Sequence, residues 1–218
     1  MRRSRALVMS LRIAICVLAT AVISPATSPA GTYNAVHDIG DIVPAWSGLT
    51  GTDGREHGWE ELSDHDAVVV IFTCNGCPYA VDHEDRIDDL ATRYAAEGGR
   101  VAVVAINANQ VDEDSLDAMQ DRAKEKDFHF PYLRDAEQEV ARAFGAVRTP
   151  ECFVLDRERR IAYMGAFDDC PEGTAVGRRY VEEAVDAVLS GKLPETTETA
   201  PVGCLIRASR RRAAARGK

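Results

Sequence analysis

Apolar runs and helical repeats divide the chain into predicted strands and helices. Residues 67–73 and 101–106 are nearly unbroken apolar runs, which are typical of strands buried on both faces of a sheet. Between them, residues 77–97 carry apolar side chains at helical spacing and end at Gly98-Gly99. The same reasoning predicts helices over 114–126, 136–144 and 174–189, strands over 152–155 and 160–164, and a hairpin over 48–58.

The order of these elements predicts an α/β fold. A helix joins the first two long strands, so they should be parallel with a right-handed crossover. The last two strands are close enough in sequence to form a hairpin. We therefore expect one domain over residues 31–193, with a central mixed β-sheet flanked by α-helices. Open sheets of this kind hold their sites at the carboxyl ends of strands.

Two cysteines follow the strand predicted over 67–73. Cys74 and Cys77 have the CxxC spacing, which can close a small disulfide ring and reopen it. A helix N-terminus stabilises a thiolate, and the thiolate is the nucleophile of disulfide exchange. We expect Cys74 to lie nearest the helix start, to be more exposed and to attack, and Cys77 to resolve the mixed disulfide. Half of a zinc site has the same spacing, but no second CxxC or CxxH completes one.

The N-terminus predicts export. Arginines at its start are followed by an apolar stretch over residues 11–23 and by small residues that end at Ala30. This pattern indicates a signal peptide over 1–30, cleaved near Ala30, and a periplasmic or secreted protein. An uncleaved membrane anchor is the alternative, although the apolar core is short for a span.

Charge and cysteine count narrow the function. Residues 31–218 hold 22 basic and 35 acidic side chains, and an acidic body argues against nucleic-acid binding. The C-terminal extension over 194–218 begins with a Pro/Thr/Glu-rich linker and ends in a basic tail expected to be disordered. Only the signal segment or this tail would contact a membrane. Five cysteines remain after cleavage, and an odd count in an oxidising compartment leaves one unpaired or in exchange.

Five segments resemble the thioredoxin superfamily, and more narrowly its exported redoxin branch, often labelled AhpC/TSA-like. They are Ile39-Gly40-Asp41-Ile42-Val43-Pro44, Phe72-Thr73-Cys74-Asn75-Gly76-Cys77-Pro78-Tyr79, Phe130-Pro131-Tyr132-Leu133-Arg134-Asp135, Val147-Arg148-Thr149-Pro150 and Pro201-Val202-Gly203-Cys204. The resemblance implies a thioredoxin-like fold and a thiol-disulfide oxidoreductase without a cofactor. Its partners would be protein thiols or disulfides and an unidentified electron donor.

The resemblance also assigns residues around the cysteine pair. It implies that Thr149 and Pro150 form a cis-proline loop that binds substrate beside the pair. Thr73 and Tyr79 flank the cysteines as accessory residues. Val68 occupies the position at which thioredoxins carry a buried acid, so no general base is assigned.

Two other activities are compatible with these residues. A peroxiredoxin-like peroxidase is one, but peroxiredoxins use Thr-x-x-Cys, and neither Cys74 nor Cys77 has that spacing from Thr73. The other is a soft-metal chaperone that binds copper through Cys74 and Cys77, with Cys204 as a third ligand.

The remaining cysteines are single. Cys152 is expected to be a buried apolar residue of a core strand. Cys170 and Cys204 lie in a predicted loop and in the C-terminal extension, and we expect a disulfide between them that fixes the extension. The competing expectation is that Cys204 reaches the CxxC pair and acts as a third exchange thiol.

Overall fold

The structure is a computed structural model that describes residues 31–208; the predicted signal peptide and the end of the basic tail lie outside this range. Strands β1 to β9 are Leu49–Gly51, Glu56–His57, Ala67–Phe72, Val101–Asn107, Tyr132–Arg134, Arg148–Thr149, Glu151–Leu155, Ile161–Gly165 and Cys204–Leu205. Helices α1 to α4 are Pro78–Ala96, Leu116–Lys126, Glu139–Phe144 and Tyr180–Leu189. Short 3-10 helices cover Trp59–Leu62 and Asp112–Asp114. None of the helices within residues 31–208 combines the length and apolarity needed to cross a bilayer.

Seven strands form one mixed sheet in the order β2-β1-β5-β4-β3-β7-β8. The long strand β3 pairs in parallel with β4 and antiparallel with β7, while β7 and β8 form the predicted hairpin. Helices α1 and α4 pack on one face, and α3 packs on the other. The predicted mixed sheet flanked by helices is confirmed.

Strand β3 explains why the sheet is buried on both faces. All six of its residues are fully buried, as the unbroken apolar run predicts. Val69 and Ile71 face the core shared with α1 and α4, whereas Val70 and Phe72 face the core around Phe144. This alternation fixes the register of the strand, and so it fixes where the chain leaves the sheet after Phe72.

Several elements differ from the predicted ones. Helix α4 begins at Tyr180 rather than near residue 174, because Asp169 accepts a hydrogen bond from the Gly177 N–H and donates its own N–H to the Arg178 carbonyl. These bonds close a loop instead of a helical turn. Strands β5, β6 and β9 have two or three residues each, too few for a periodic pattern.

Residues 194–201, whose composition predicts a flexible linker, lie along the edge strand β8. Met164 exchanges backbone hydrogen bonds with Thr197 and Thr199, at 3.1 Å each. The Thr199 hydroxyl is 2.7 Å from the Tyr163 hydroxyl. These contacts direct the chain back across the domain to β9, beside the cysteine pair.

Candidate active site

Cys74 and Cys77 lie in the turn between β3 and α1, at the carboxyl end of the long buried strand. Cys77 is the N-cap residue of α1, and Pro78 is its first helical residue. Proline suits this position because the first turn of a helix leaves its N–H groups without helical partners. The sequence predicted an exposed Cys74 at the helix start, whereas Cys77 holds that position and the two residues are only 2% and 0% exposed.

Thr149 contacts both sulfurs from the adjacent strand β6. Its hydroxyl is 3.2 Å from Cys74 Sγ, and its carbonyl oxygen accepts a hydrogen bond of 3.1 Å from the Cys77 thiol. The Thr149–Pro150 peptide bond, which the resemblance implies to be cis, is cis. The structure therefore brings together the two cysteines and the predicted binding residue Thr149, with Pro150 next to it.

A buried polar network supports the turn that carries the cysteines. The Asp114 carboxylate is fully buried and accepts hydrogen bonds from the Asn75 N–H at 2.6 Å and from the side-chain amides of Asn107 and Asn109 at 3.0 and 2.8 Å. The Tyr132 hydroxyl donates to the Asn75 side chain at 3.0 Å. Sequence reasoning missed this network. The signal for it was a set of polar residues after β4, the strand parallel to β3.

Hydrogen bonding between the two thiols shifts their pKa values in opposite directions. The bond from the Cys74 thiol, followed by contacts from Cys204, lowers the pKa of Cys77 although burial opposes this. The same bond and burial raise the pKa of Cys74, and the negative charge of Asp114 adds to the rise. Of the coupled pair, Cys77 therefore ionises before Cys74, and on ionising it gives up the hydrogen bond that its thiol donates to the Thr149 carbonyl.

Cys204 lies against this pair and not against Cys170. Its backbone N–H donates to Cys77 Sγ at 3.4 Å, and its side chain packs on the two cysteines. The Cys170 sulfur accepts from the Ala175 N–H at 3.4 Å, on a loop outside the site. All five cysteines of residues 31–208 are free thiols. The expected Cys170–Cys204 disulfide is wrong, because sequence alone did not give the path of residues 194–203.

The other residues singled out from the sequence, Thr73, Tyr79 and Cys152, make contacts that support the fold. Thr73 is buried, and its N–H extends the β3–β4 pairing through a 2.9 Å bond to the Ile106 carbonyl. The Tyr79 side chain is 37% exposed, and its carbonyl accepts from His83 Nδ1 at 2.6 Å. Neither side chain forms a hydrogen bond with the cysteine sulfurs in the described part of the chain. Cys152 is fully buried in β7, as expected.

Over residues 31–208, no group of three or more histidine, cysteine or acidic side chains has an arrangement that could hold a metal ion. The thiols of Cys74, Cys77 and Cys204 are in contact, but they bond to one another, to Thr149 and to backbone N–H groups.

Comparison with known proteins identifies the family. The redoxin family model matches residues 38–176. A hypothetical protein from Sinorhizobium meliloti 1021 has a crystal structure that is 36% identical with a TM-score of 0.75, over 83% of this chain and all of that one. An uncharacterized conserved protein from Geobacillus kaustophilus is 34% identical with a TM-score of 0.72, over 79% of this chain and 93% of that one.

More distant structures share the fold alone. The peroxidoxin BcpB from Mycobacterium tuberculosis is 22% identical with a TM-score of 0.51, over 70% of this chain and 94% of that one. A search of curated proteins finds no significant match. Because the family model covers more than half of the chain, including the cysteine pair and Thr149-Pro150, the chain belongs to the redoxin family of thiol-based redox proteins with a thioredoxin-like fold.

Proposed function

We propose that the protein is a thiol-disulfide oxidoreductase that cycles Cys74 and Cys77 between dithiol and disulfide, with protein partners outside the cytoplasm. The observation that carries this proposal is the packing of two buried cysteines in one cluster, in which both sulfurs contact Thr149. Sulfurs in contact can close a disulfide with little backbone movement. Membership of the redoxin family indicates thiol-based redox chemistry, and the Cys74–Cys77 dithiol supplies the two electrons that reduce a partner disulfide.

In the reducing direction, Cys74 attacks a partner disulfide and passes its proton to the Cys77 thiolate. A mixed disulfide then joins Cys74 to the partner, whose second sulfur leaves as a thiolate and takes the proton from Cys77. The Cys77 thiolate next attacks Cys74 and releases the partner's first sulfur, which takes a proton from water. The partner gains two electrons and the protein holds the Cys74–Cys77 disulfide, which an external thiol reductant reopens.

The edge formed by Thr149 and Pro150 is the proposed binding surface for an extended segment of the partner. Thr149 is the residue that contacts both sulfurs, so a chain bound along its strand brings a cysteine within reach of the pair. In the oxidising direction, the same edge would hold a partner dithiol.

Trapping of mixed disulfides tests the assignment of the two cysteines. With a model protein disulfide, the Cys77→Ser variant is expected to accumulate a mixed disulfide through Cys74, and the Cys74→Ser variant is not. Cys170→Ser is the matched control, because this cysteine lies on a loop outside the site, and it should behave as the wild type. Trapping by Cys74→Ser alone would assign the attack to Cys77. Rapid consumption of hydrogen peroxide without disulfide reduction would favour the peroxidase instead.

Export is a separate part of the proposal. It predicts that the protein recovered from outside the cytoplasm begins near residue 31, which mass spectrometry of the intact protein measures. Recovery of the chain from Met1 in the cytoplasm would contradict it, without bearing on the dithiol chemistry.

A further inference from the structure

The C-terminal strap, defined as residues 201–207, occupies the backbone edge beside the cysteine pair. Its strand β9 pairs antiparallel with β6, so that Cys204 lies opposite Thr149 and Leu205 lies opposite Arg148. This is the edge that the proposed function gives to a partner segment. The protein's own chain therefore takes the position of an extended partner peptide, with a cysteine opposite the residue that contacts both site thiols.

We propose that Cys204 is a third catalytic thiol, which exchanges with the Cys74–Cys77 disulfide by forming a disulfide with Cys77. This inference rests on the proposed function and adds an intramolecular step to it.

Polar contacts and close backbone approach hold the strap. The Ile206 N–H donates to the Val147 carbonyl at 2.9 Å, and the Arg148 guanidinium donates to the Gly203 carbonyl at 2.7 Å. A Cβ atom on Gly203 would overlap the Thr149 carbonyl, so only glycine allows this approach.

A second set of contacts fixes the end of the strap to the loop after β4. The Arg207 N–H donates to Asn109 Oδ1 at 2.7 Å, and its guanidinium forms a 2.6 Å ion pair with Glu113. Apolar burial contributes less, because Val202 and Leu205 are 42% and 61% exposed. A segment held mainly by polar contacts, with little apolar burial, can open without unfolding the domain.

Cys77 contacts both of the other cysteines. It packs with Cys74 in one cluster, Cys204 packs against that cluster, and the Cys204 N–H donates to Cys77 Sγ at 3.4 Å. Either neighbour can therefore form a disulfide with Cys77 after a small side-chain movement. Cys204 is only partly buried, unlike the site cysteines, so it is the thiol of the three that an external reductant reaches most easily.

The exchange step conserves electrons. The Cys204 thiolate attacks Cys77 Sγ of the Cys74–Cys77 disulfide. A Cys77–Cys204 bond forms, the Cys74–Cys77 bond breaks, and its electron pair leaves on Cys74. Cys204 releases one proton to water and Cys74 takes one up, so the protein holds one disulfide before and after the step. An external thiol then reduces the Cys77–Cys204 bond by attack at the accessible Cys204.

Ionisation of Cys204 is coupled to the state of Cys77. In the dithiol form, its hydrogen bond to Cys77, burial and the charge of Cys77 raise the pKa of Cys204, while Arg207 and Arg148 lower it. Once Cys77 is in a disulfide, its charge is gone and the two arginines remain. Cys204 thus becomes a better nucleophile when there is a disulfide to attack.

Peptide mapping of the full chain tests the step. Trypsin separates Cys204, in residues 193–207, from the site cysteines in residues 56–86 and from Cys170 in residues 161–178. After mild oxidation with diamide and acid quenching, Cys74→Ser is expected to hold most of its Cys77 in a Cys77–Cys204 disulfide. The wild type should show the same crosslink as a minor species beside Cys74–Cys77. A Cys74→Ser protein that leaves Cys204 free to alkylation, or that joins Cys77 to Cys170, overturns the inference.

A second variant tests whether the crosslink depends on the close packing of Gly203 on Thr149. Gly203→Ala should displace the strap and reduce the Cys77–Cys204 crosslink several-fold in the Cys74→Ser background, while Val202→Ala, at an exposed strap position, should leave it unchanged. Equal crosslinking in both would contradict the docking geometry. The proposed function fails independently, if the wild type does not reduce a model protein disulfide. If the wild type reduces that disulfide but Cys204 never joins Cys77, only the role of Cys204 is contradicted and the proposed function stands.

Discussion

The carboxyl end of β3 and the neighbouring strand β7 lie side by side in the sheet, and each region holds a cysteine that is fully buried. Cys77 follows β3, while Cys152 lies opposite Ile71 within the β3–β7 pairing. Hydrogen bonds lower the pKa of Cys77, whereas burial raises the pKa of Cys152 well above its usual range. Neither thiol is open to solvent, so the opposite shifts come from hydrogen-bond donors near the Cys77 sulfur and from the deeper burial of Cys152.

The opposite pKa shifts of the two thiols follow from where each cysteine lies along the backbone. Cys152 lies inside a paired strand, where the sheet uses every nearby N–H, and its side chain packs among apolar residues. Cys77 lies where the chain changes from strand to helix, and the strap adds the Cys204 N–H and thiol from a distant part of the sequence. Ionisation of the thiol is therefore favoured at Cys77 and disfavoured at Cys152.

Replacing each cysteine by serine should give the largest contrast. Cys77→Ser is expected to abolish turnover with a model protein disulfide, because the mixed disulfide is no longer resolved. Cys152→Ser should retain turnover and lose about 1–3 kcal/mol of unfolding free energy, since it buries a hydroxyl among apolar side chains. Turnover assays and denaturant unfolding measure the two effects. Loss of turnover in folded Cys152→Ser protein would remove the distinction between the two regions.

Disrupting the buried polar network around Asp114 should have the second-largest effect. Asp114→Ala leaves the Asn75 N–H and two buried amides without their acceptor, so we expect a loss of about 2–4 kcal/mol in unfolding free energy. It also removes a charge that raises the pKa of Cys74, so Cys74 should ionise at lower pH. Alkylation of Cys74 against pH measures this shift. Asp112→Ala, at an exposed position of the same 3-10 helix, is the control and should change neither quantity.

The cysteine turn and the network around Asp114 also show how much of the site the sequence could predict. The apolar run of β3 and the helical repeat of α1 are local patterns, and they placed the cysteine pair in the turn between strand and helix. Asp114 lies in an acidic stretch that resembles an exposed turn, and its immediate neighbours do not indicate that the carboxylate is buried; the signal lay in the asparagines at the end of β4. The pairing of β9 with β6 joins two-residue strands 55 positions apart, at Thr149 and Cys204. Such a contact depends on the path of the whole chain. The sequence therefore could not decide between a Cys170–Cys204 disulfide, which is wrong, and a Cys204 that lies beside the CxxC pair, as the structure has it.

The pH dependence of stability should have opposite signs for the two thiols. The pKa of Cys77 is lowered on folding, so its contribution to stability is lost as pH falls through the folded value, and it is complete above about pH 8.5, the value of an unfolded thiol. The pKa of Cys152 is raised, so its contribution is complete below about pH 8.5 and is lost above it.

Unfolding of the fully reduced protein at several pH values measures this contrast. Relative to Cys77→Ser, the wild type should gain stability as pH rises toward about 8.5, with a slope of at most about 1.4 kcal/mol per pH unit for one proton. Relative to Cys152→Ser, it should lose stability above that pH. Parallel curves for the wild type and Cys77→Ser would mean that the thiolate is not on Cys77.

The smallest effect should come from loosening the strap over Cys77. Arg207→Gln removes the ion pair with Glu113, whose side chains are 42% and 52% exposed. Exposed pairs contribute about 0.2–1 kcal/mol, so the open strap should become at most about fivefold more populated. Alkylation of Cys77 by iodoacetamide should accelerate by the same factor, while Cys152 stays unreactive because it is buried in β7, which opening of the strap does not expose. Arg157→Gln removes an exposed pair with Asp66 far from the site and should change neither rate. An unchanged Cys77 rate in Arg207→Gln would mean that packing of Gly203 on Thr149, and not the ion pair, controls access to the thiolate.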